Sequence, residues 1–210
     1  MFLPLVRLLF RVRVEGVEHV PSTGPVLIAF NHVSVLDGPV LGLETVWRAR
    51  RRMRFLVATE VYEKRLIGWI VRKYEQIPIQ RGSGDAGALD LAISTVKAGA
   101  VAAVAPEGRV DDHGGELGLQ RMRSGIARIA LPTGAPIVPV GIWGTQGRWP
   151  RSGPSFERPL RPHLGLSFGP PLLPSGDAED VHDVENLLER VRAALDDQVV
   201  RARRLAGAGP

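Results

Sequence analysis

The strongest constraint on the fold is a step the chain repeats: a short apolar run that stops abruptly at polar, turn-forming residues. Pro25-Val26-Leu27-Ile28-Ala29-Phe30 runs into Asn31-His32, and Ala100–Ala105 runs into Pro106-Glu107-Gly108-Arg109. Phe55–Ala58 and Pro136–Val140 are built the same way. Runs this short, bounded by Gly, Pro and polar residues, read as strands covered on both faces rather than as core helices. Arg11–Glu15 alternates with period two as a half-exposed strand, and Ile77-Pro78-Ile79 and Leu164–Phe168 read as two more. Between them lie stretches with helical spacing. One follows Asp37-Gly38-Pro39, one holds Ile67–Val71, one carries Leu89, Ile93 and Val96, and one carries Ile126, Ile129 and Ala130. A last helix from near Asp177 is expected to put Val181, Val184, Leu188, Val191 and Leu195 on one face.

Strands alternating with helices predict an α/β fold: a single domain with a mixed, largely parallel β-sheet flanked by helices. At 210 residues, with no internal repeat and no long linker, the chain suits one domain spanning 11–200. Residues 1–10 form a candidate membrane-interfacial segment, apolar but interrupted by Pro4 and Arg7 and too short to span a bilayer; a first core-packing helix is the competing reading. Residues 201–210 read as a basic, then flexible, tail.

The chain has no cysteine, which removes disulfides, thiolate metal sites and a cysteine nucleophile. A net charge of +5, with arginine far ahead of lysine, favours an anionic partner. Arg48, Arg50, Arg51, Arg52 and Arg54, flanked by Trp47 and Phe55, read either as solvated surface or as a contact with an anionic membrane. No stacking motif or recognition helix points to nucleic acid.

Chemistry is expected in the loops that follow the buried strands, because ligands in open α/β sheets gather at the carboxyl ends of the strands. His32 has the side chain best suited to take a proton near neutral pH. Asp37, five residues on, would point away from it in a continuous helix. If residues 31–36 form a turn entering a helix, however, the carboxylate folds back onto one ring nitrogen and frees the other to act as a base. Otherwise Asp37 simply caps the helix. Arg81 and Arg109 each close a strand-to-loop transition, as a phosphate-gripping guanidinium or as an ordinary salt-bridge partner. Glu107 could orient Arg109, and Gly108 could let the backbone approach a ligand.

Taken together and in order, these loops resemble the glycerolipid acyltransferase family. Asn31, His32 and Asp37 match its Asn-His-x4-Asp motif, and Ile77-Pro78-Ile79-Gln80-Arg81 matches its second. Ala105-Pro106-Glu107-Gly108-Arg109 matches the third imperfectly, and Pro136–Val140 matches a Pro-Ile-Val-Pro-Val strand. The similarity covers about residues 12–170. The third motif lacks its leading Phe and its Thr, so Arg109 stands one position early. Glu75 occupies a position that is commonly glycine, and Thr59 one that is commonly lysine.

The resemblance implies a glycerol-phosphate acyltransferase-like fold and transfer of a fatty acyl group from acyl-CoA or acyl carrier protein. The implied acceptor is a lysophospholipid hydroxyl, first of all 1-acyl-glycerol-3-phosphate, giving phosphatidate. His32 and Asp37 would be catalytic, and Asn31, Arg81, Glu107, Gly108 and Arg109 would bind substrate, with no metal or organic cofactor. An anionic membrane surface is the implied partner, nucleic acid is not, and the expected location is peripheral, on the inner face of the cell membrane. A family member acting on another lyso-lipid, or a non-catalytic lipid-binding module, are the alternatives.

Overall fold

The computed structural model describes residues 3–80, 85–155, 159 and 161–208. It begins with α1 (Leu3–Leu9), β1 (Arg11–Glu15), β2 (Val26–Phe30) and α2 (Asp37–Arg48). Then come β3 (Met53–Ala58), α3 (Thr59–Tyr62), α4 (Arg65–Lys73), β4 (Ile77–Ile79), α5 (Ala86–Lys97) and β5 (Val101–Val104). The chain closes with α6 (Gly125–Thr133), β6 (Ile137–Trp143), β7 (His163–Phe168) and α7 (Val181–Leu205).

The strands form one seven-stranded sheet in the order β1-β7-β6-β2-β5-β3-β4. The five strands from β6 to β4 run parallel; β7 is antiparallel to β6, and β1 runs parallel to β7. The predicted mixed, largely parallel α/β sheet is therefore present. Strand β2 sits centrally and is buried at every residue. Its alternation divides the core: Val26, Ile28 and Phe30 face α1 and α2, while Leu27 and Ala29 face α5, α6 and α7.

Two glycines set how closely α7 can dock. A Cβ on Gly141 of β6 would stand 2.0 Å from the Gln198 carbonyl oxygen, and one on Gly165 of β7 would stand 2.0 Å from that of Ala202. Both obstacles are helix backbone, so neither can be relieved by a rotamer change. Gly141→Ala is therefore expected to destabilise the protein by about 3 kcal/mol, the upper part of the usual overpacking range, read as a lowered thermal melting temperature.

Several expectations need correction. The buried face of α7 is Val184, Leu187, Val191, Leu195, Gln198 and Ala202, whereas Val181 is exposed. Asp180 caps the helix, its side chain accepting the His182 N–H, so Val181 is its first residue and lies in the open first turn. Residues 201–205 are not a tail. They continue α7 because Ala202 is packed on Gly165. Helix α1 is anchored in the core through Val6, and the residue after it, Phe10, is also buried there; Leu8 is left exposed.

The arginine run is largely engaged by the fold itself. Arg51 donates to the carbonyls of Pro21, Gly24 and Gly99, Arg48 pairs with buried Glu44, and Arg54 with Glu75. Gly24 and Gly99 precede β2 and β5, so Arg51 anchors the end of the sheet opposite the carboxyl ends. Phe55 packs edge-on against Phe30. Glu75, in place of the common glycine, adopts a left-handed backbone with φ 50°, a conformation glycine reaches without strain.

Candidate active site

Carried two residues past the end of β2, the strand's alternation delivers Asn31 to one face and His32 to the other, the α2 side. Residues 31–36 are not helical and Asp37 is the first residue of α2. This is the turn that lets a five-residue separation close. His32 Nδ1 and Asp37 Oδ2 are 2.9 Å apart. The Asp37 side chain is wholly buried, while that of His32 keeps 20% of its surface accessible.

Asp37 is held on all sides. Its Oδ2 also accepts the backbone N–H groups of Val33 and Ser34, each at 2.7 Å, and its Oδ1 accepts the Thr145 hydroxyl at 2.5 Å. These donors engage both carboxylate oxygens and fix the side chain in place. A carboxylate on Nδ1 selects the tautomer with the proton there, leaving Nε2 as acceptor. Among the described residues no hydrogen bond involves Nε2, so this nitrogen can receive a proton from a substrate. The alternative reading of Asp37 as a helix cap does not hold, since its bonds go back to the turn and across to Thr145.

A second loop fixes the backbone of His32 from both sides. The His32 N–H donates to Glu107 Oε1 at 2.9 Å, and its carbonyl accepts the Asp111 N–H at 2.7 Å. Glu107 Oε2 accepts the Gln120 N–H at 3.0 Å. Asp111 in turn accepts from the backbone of His113 and Gly115 and from the Gln120 side chain. The loop after β5 is thus a rigid clamp on the loop after β2.

Glu107 is buried, and that burial pushes its carboxyl above the ordinary range, opposed by the N–H groups of Gln120 and His32. A raised folded-state pKa means the folded protein binds this proton more tightly than the unfolded chain does. The resulting stabilisation is complete below the unfolded value and is lost as pH rises through the folded one. Melting curves across the acidic range should therefore show wild type gaining on Glu107→Gln as pH falls; a constant gap would contradict this.

The other expected site residues fall into three groups. Asn31 is buried and makes a two-way pair with the backbone of Ile142, donating from Nδ2 at 3.0 Å and accepting at Oδ1 at 2.7 Å. It extends the pairing of β2 with β6 beyond the strand, and like Glu107 it serves the scaffold. Gly108 has φ 73° and lies under Arg123: a Cβ there would stand 2.8 Å from Arg123 Nε. Arg109 is exposed and turns along its own loop, its Nε donating to Gln120 and its Nη1 lying 3.9 Å from Asp112. Arg81 lies outside the described residues.

Thr145, Asp111, Gln120 and Arg123 carried no motif and were missed. Each reaches the site from a loop distant in sequence, which no local pattern marks. Ser34 is buried, donates to the Trp149 carbonyl and accepts the Leu36 N–H, so it is a loop brace.

Comparison with known proteins identifies the family. Residues 11–143 match the Acyltransferase family. An uncharacterized protein of Mycobacterium leprae is 31% identical over 91% of this chain and 60% of its own length. The chain thus spans about 60% of such mycobacterial relatives. The lyso-ornithine lipid O-acyltransferase of Pseudomonas aeruginosa is 32% identical over 94% of this chain and 72% of its own. The crystal structure of the 1-acyl-sn-glycerophosphate acyltransferase of Thermotoga maritima superposes with a TM-score of 0.68 at 23% identity, covering 90% of this chain and 73% of that one. It shares the fold.

Proposed function

The chain belongs to the acyltransferase family, and from that premise we propose that it moves a fatty acyl group from an acyl thioester to the hydroxyl of a lysophospholipid by His-Asp general-base catalysis. The observation that carries the reading is the His32–Asp37 pair: Nδ1 held at 2.9 Å by a buried carboxylate, on a ring whose side chain remains partly accessible. In this reading Nε2 removes the proton of the acceptor hydroxyl as its oxygen adds to the thioester carbonyl. The tetrahedral intermediate collapses with loss of the thiolate, which takes the proton back from the imidazolium. A new ester replaces the thioester, and no metal or organic cofactor is needed. The Asp37 carboxylate stabilises the imidazolium in between.

The first acceptor in this reading is 1-acyl-glycerol-3-phosphate, giving phosphatidate, with acyl-CoA or acyl carrier protein as donor. Guanidinium groups suit its phosphate. Arg81 follows β4, Arg109 follows β5, and Arg123 leans over Gly108 in the same loop system. Because donor and acceptor meet at a bilayer, the protein is placed peripherally on the inner face of the cell membrane.

A second reading is favoured by one finding, the 32% identity to a lyso-ornithine lipid O-acyltransferase. The two separate on the acceptor head group. If the acceptor bears a phosphate monoester, Arg81→Ala and Arg123→Ala should each raise its KM by roughly tenfold or more while kcat changes little, as expected for one charge-assisted bond. If the acceptor is lyso-ornithine lipid, its KM should not rise in either variant. A mass-spectrometric screen of lyso-lipids against acyl-CoA and acyl carrier protein donors names both substrates. Absence of turnover with every pair would overturn the enzymatic reading.

A further inference from the structure

We propose that α4 is an interfacial helix that seats the protein on an anionic lipid bilayer, with its apolar residues among the acyl chains and its flanking cations at the head groups. The inference rests on the lipid-acceptor reading for its purpose and on α4 alone for its evidence.

Helix α4 reads Arg65-Leu66-Ile67-Gly68-Trp69-Ile70-Val71-Arg72-Lys73, and only Gly68 and Val71 are buried. Leu66 is 71% exposed, Trp69 56%, Ile67 44% and Ile70 39%, and Tyr74 just after the helix is also exposed. A surface helix of a globular protein turns its apolar stripe inward, so α4 is packed the wrong way round for a protein surrounded by water alone. Single exposed apolar residues are ordinary, but a contiguous patch of them marks a contact surface.

The helix is nonetheless held firmly in place. A Cβ on Gly68 would stand 2.2 Å from the Tyr62 carbonyl oxygen, so α3 and α4 touch backbone to backbone. The Tyr62 hydroxyl donates to the Gln76 carbonyl, and Arg72 Nη1 donates to the Tyr62 carbonyl. The apolar side chains are thus displayed by a fixed platform.

Charge identifies what covers them. Lys64 and Arg65 stand at the start of α4 and Arg72 and Lys73 at its end, bracketing the apolar centre. Lys73 lies over the Trp69 ring at 4.6 Å. The nearby acids are Glu60 and Glu63 on the α3 side and Glu75, the last already paired with Arg54 at 2.6 Å. Basic residues around apolar and Trp side chains on a short helix suit the head-group boundary of an anionic membrane. A second copy of the chain fits poorly, since a twofold contact would bring like charges together around a core that normally excludes them. The position is also apt. Helices α3 and α4 connect β3 to β4, and β4 runs parallel to β3, toward the carboxyl end of the sheet where the candidate site lies.

The test is flotation of the purified full chain with phosphatidylcholine vesicles, with and without about one third phosphatidylglycerol. Wild type is expected to float with the anionic vesicles and to be released by salt. Leu66→Gln with Ile70→Gln should weaken binding at least tenfold, and Arg72→Gln with Lys73→Gln about as much, since each surface cation contributes roughly fivefold. Trp69 fluorescence should be quenched by brominated lipid, and Trp69→Phe should lose that quenching. Unchanged melting temperatures, and unchanged turnover of a detergent-dispersed acceptor, show that the variants are folded. Variants that bind as wild type does would overturn the proposal. So would loss of binding in Leu8→Gln but not in the α4 variants, which moves the contact to α1. A dimer abolished by the α4 substitutions, with no vesicle binding, would also overturn it. Vesicle binding without any acyl transfer leaves this inference standing and defeats the enzymatic one.

Discussion

His32→Ala is expected to lower kcat for acyl transfer by about 10²- to 10⁴-fold, the usual contribution of a positioned general base, while the protein stays folded. The separation of the two effects follows from how the residue is held. What fixes this part of the loop is the His32 backbone, between Glu107 and Asp111, and alanine keeps both bonds. Among the described residues the ring makes one hydrogen bond, to Asp37, and one edge contact with Phe30. Steady-state kinetics beside a melting curve check the prediction. Equal rates in wild type and variant would remove His32 from the mechanism.

Asp37 is the opposite case, because its side chain carries both the chemistry and the turn. In Asp37→Ala, the Val33 and Ser34 N–H groups and the Thr145 hydroxyl lose their acceptor in a fully buried place. At about 1–3 kcal/mol for each unsatisfied group, partly relieved by relaxation, a loss on the order of 4 kcal/mol is expected. Asp37→Asn separates the two roles. The three N–H donors converging on Oδ2 dictate that an amide presents its oxygen there, and the amide nitrogen can then donate to the Thr145 hydroxyl oxygen. Fold and tautomer survive, whereas the negative charge facing the imidazolium does not. The expected outcome is a melting temperature within a few degrees of wild type and a kcat lowered on the order of 10²-fold. Equal stability of Asp37→Ala and Asp37→Asn would refute the structural role.

Much of this was legible in the sequence because it is locally encoded. The apolar runs at residues 26–30 and 101–104 are strands because their composition and length permit little else, and their last residues determine which loops meet at the carboxyl edge. His32 and Asp37 were legible as a pair only on condition of a turn between them, and that turn is present. Roles proved harder to read than positions. Asn31 and Glu107 stand where motif residues would be expected to touch substrate, yet the described structure engages both on backbone groups. Polar side chains near a site look alike in sequence whether they face inward or outward. Helix α4 shows the same limit: its helical character was legible, but the side it turns to the core was not. Leu66, Ile67, Ile70 and Val71 have the composition of a core-facing stripe, but only Val71 is buried.

The sequence by itself determined the alternation of strands and helices, the loop carrying His32 and Asp37, and, through the missing cysteine, the exclusion of a thiolate intermediate. Tertiary structure alone decided the partners. Placing β2 between β5 and β6 brings Glu107 to His32 across 75 residues and Thr145 to Asp37 across 108. It likewise ties Arg51 to the opposite end of the sheet and leaves the apolar side of α4 uncovered. The division is physical. Periodicity and turn chemistry act over a few residues and can be read along the chain, whereas hydrogen-bond partners and buried faces depend on which strands become neighbours, a result of the whole core packing at once.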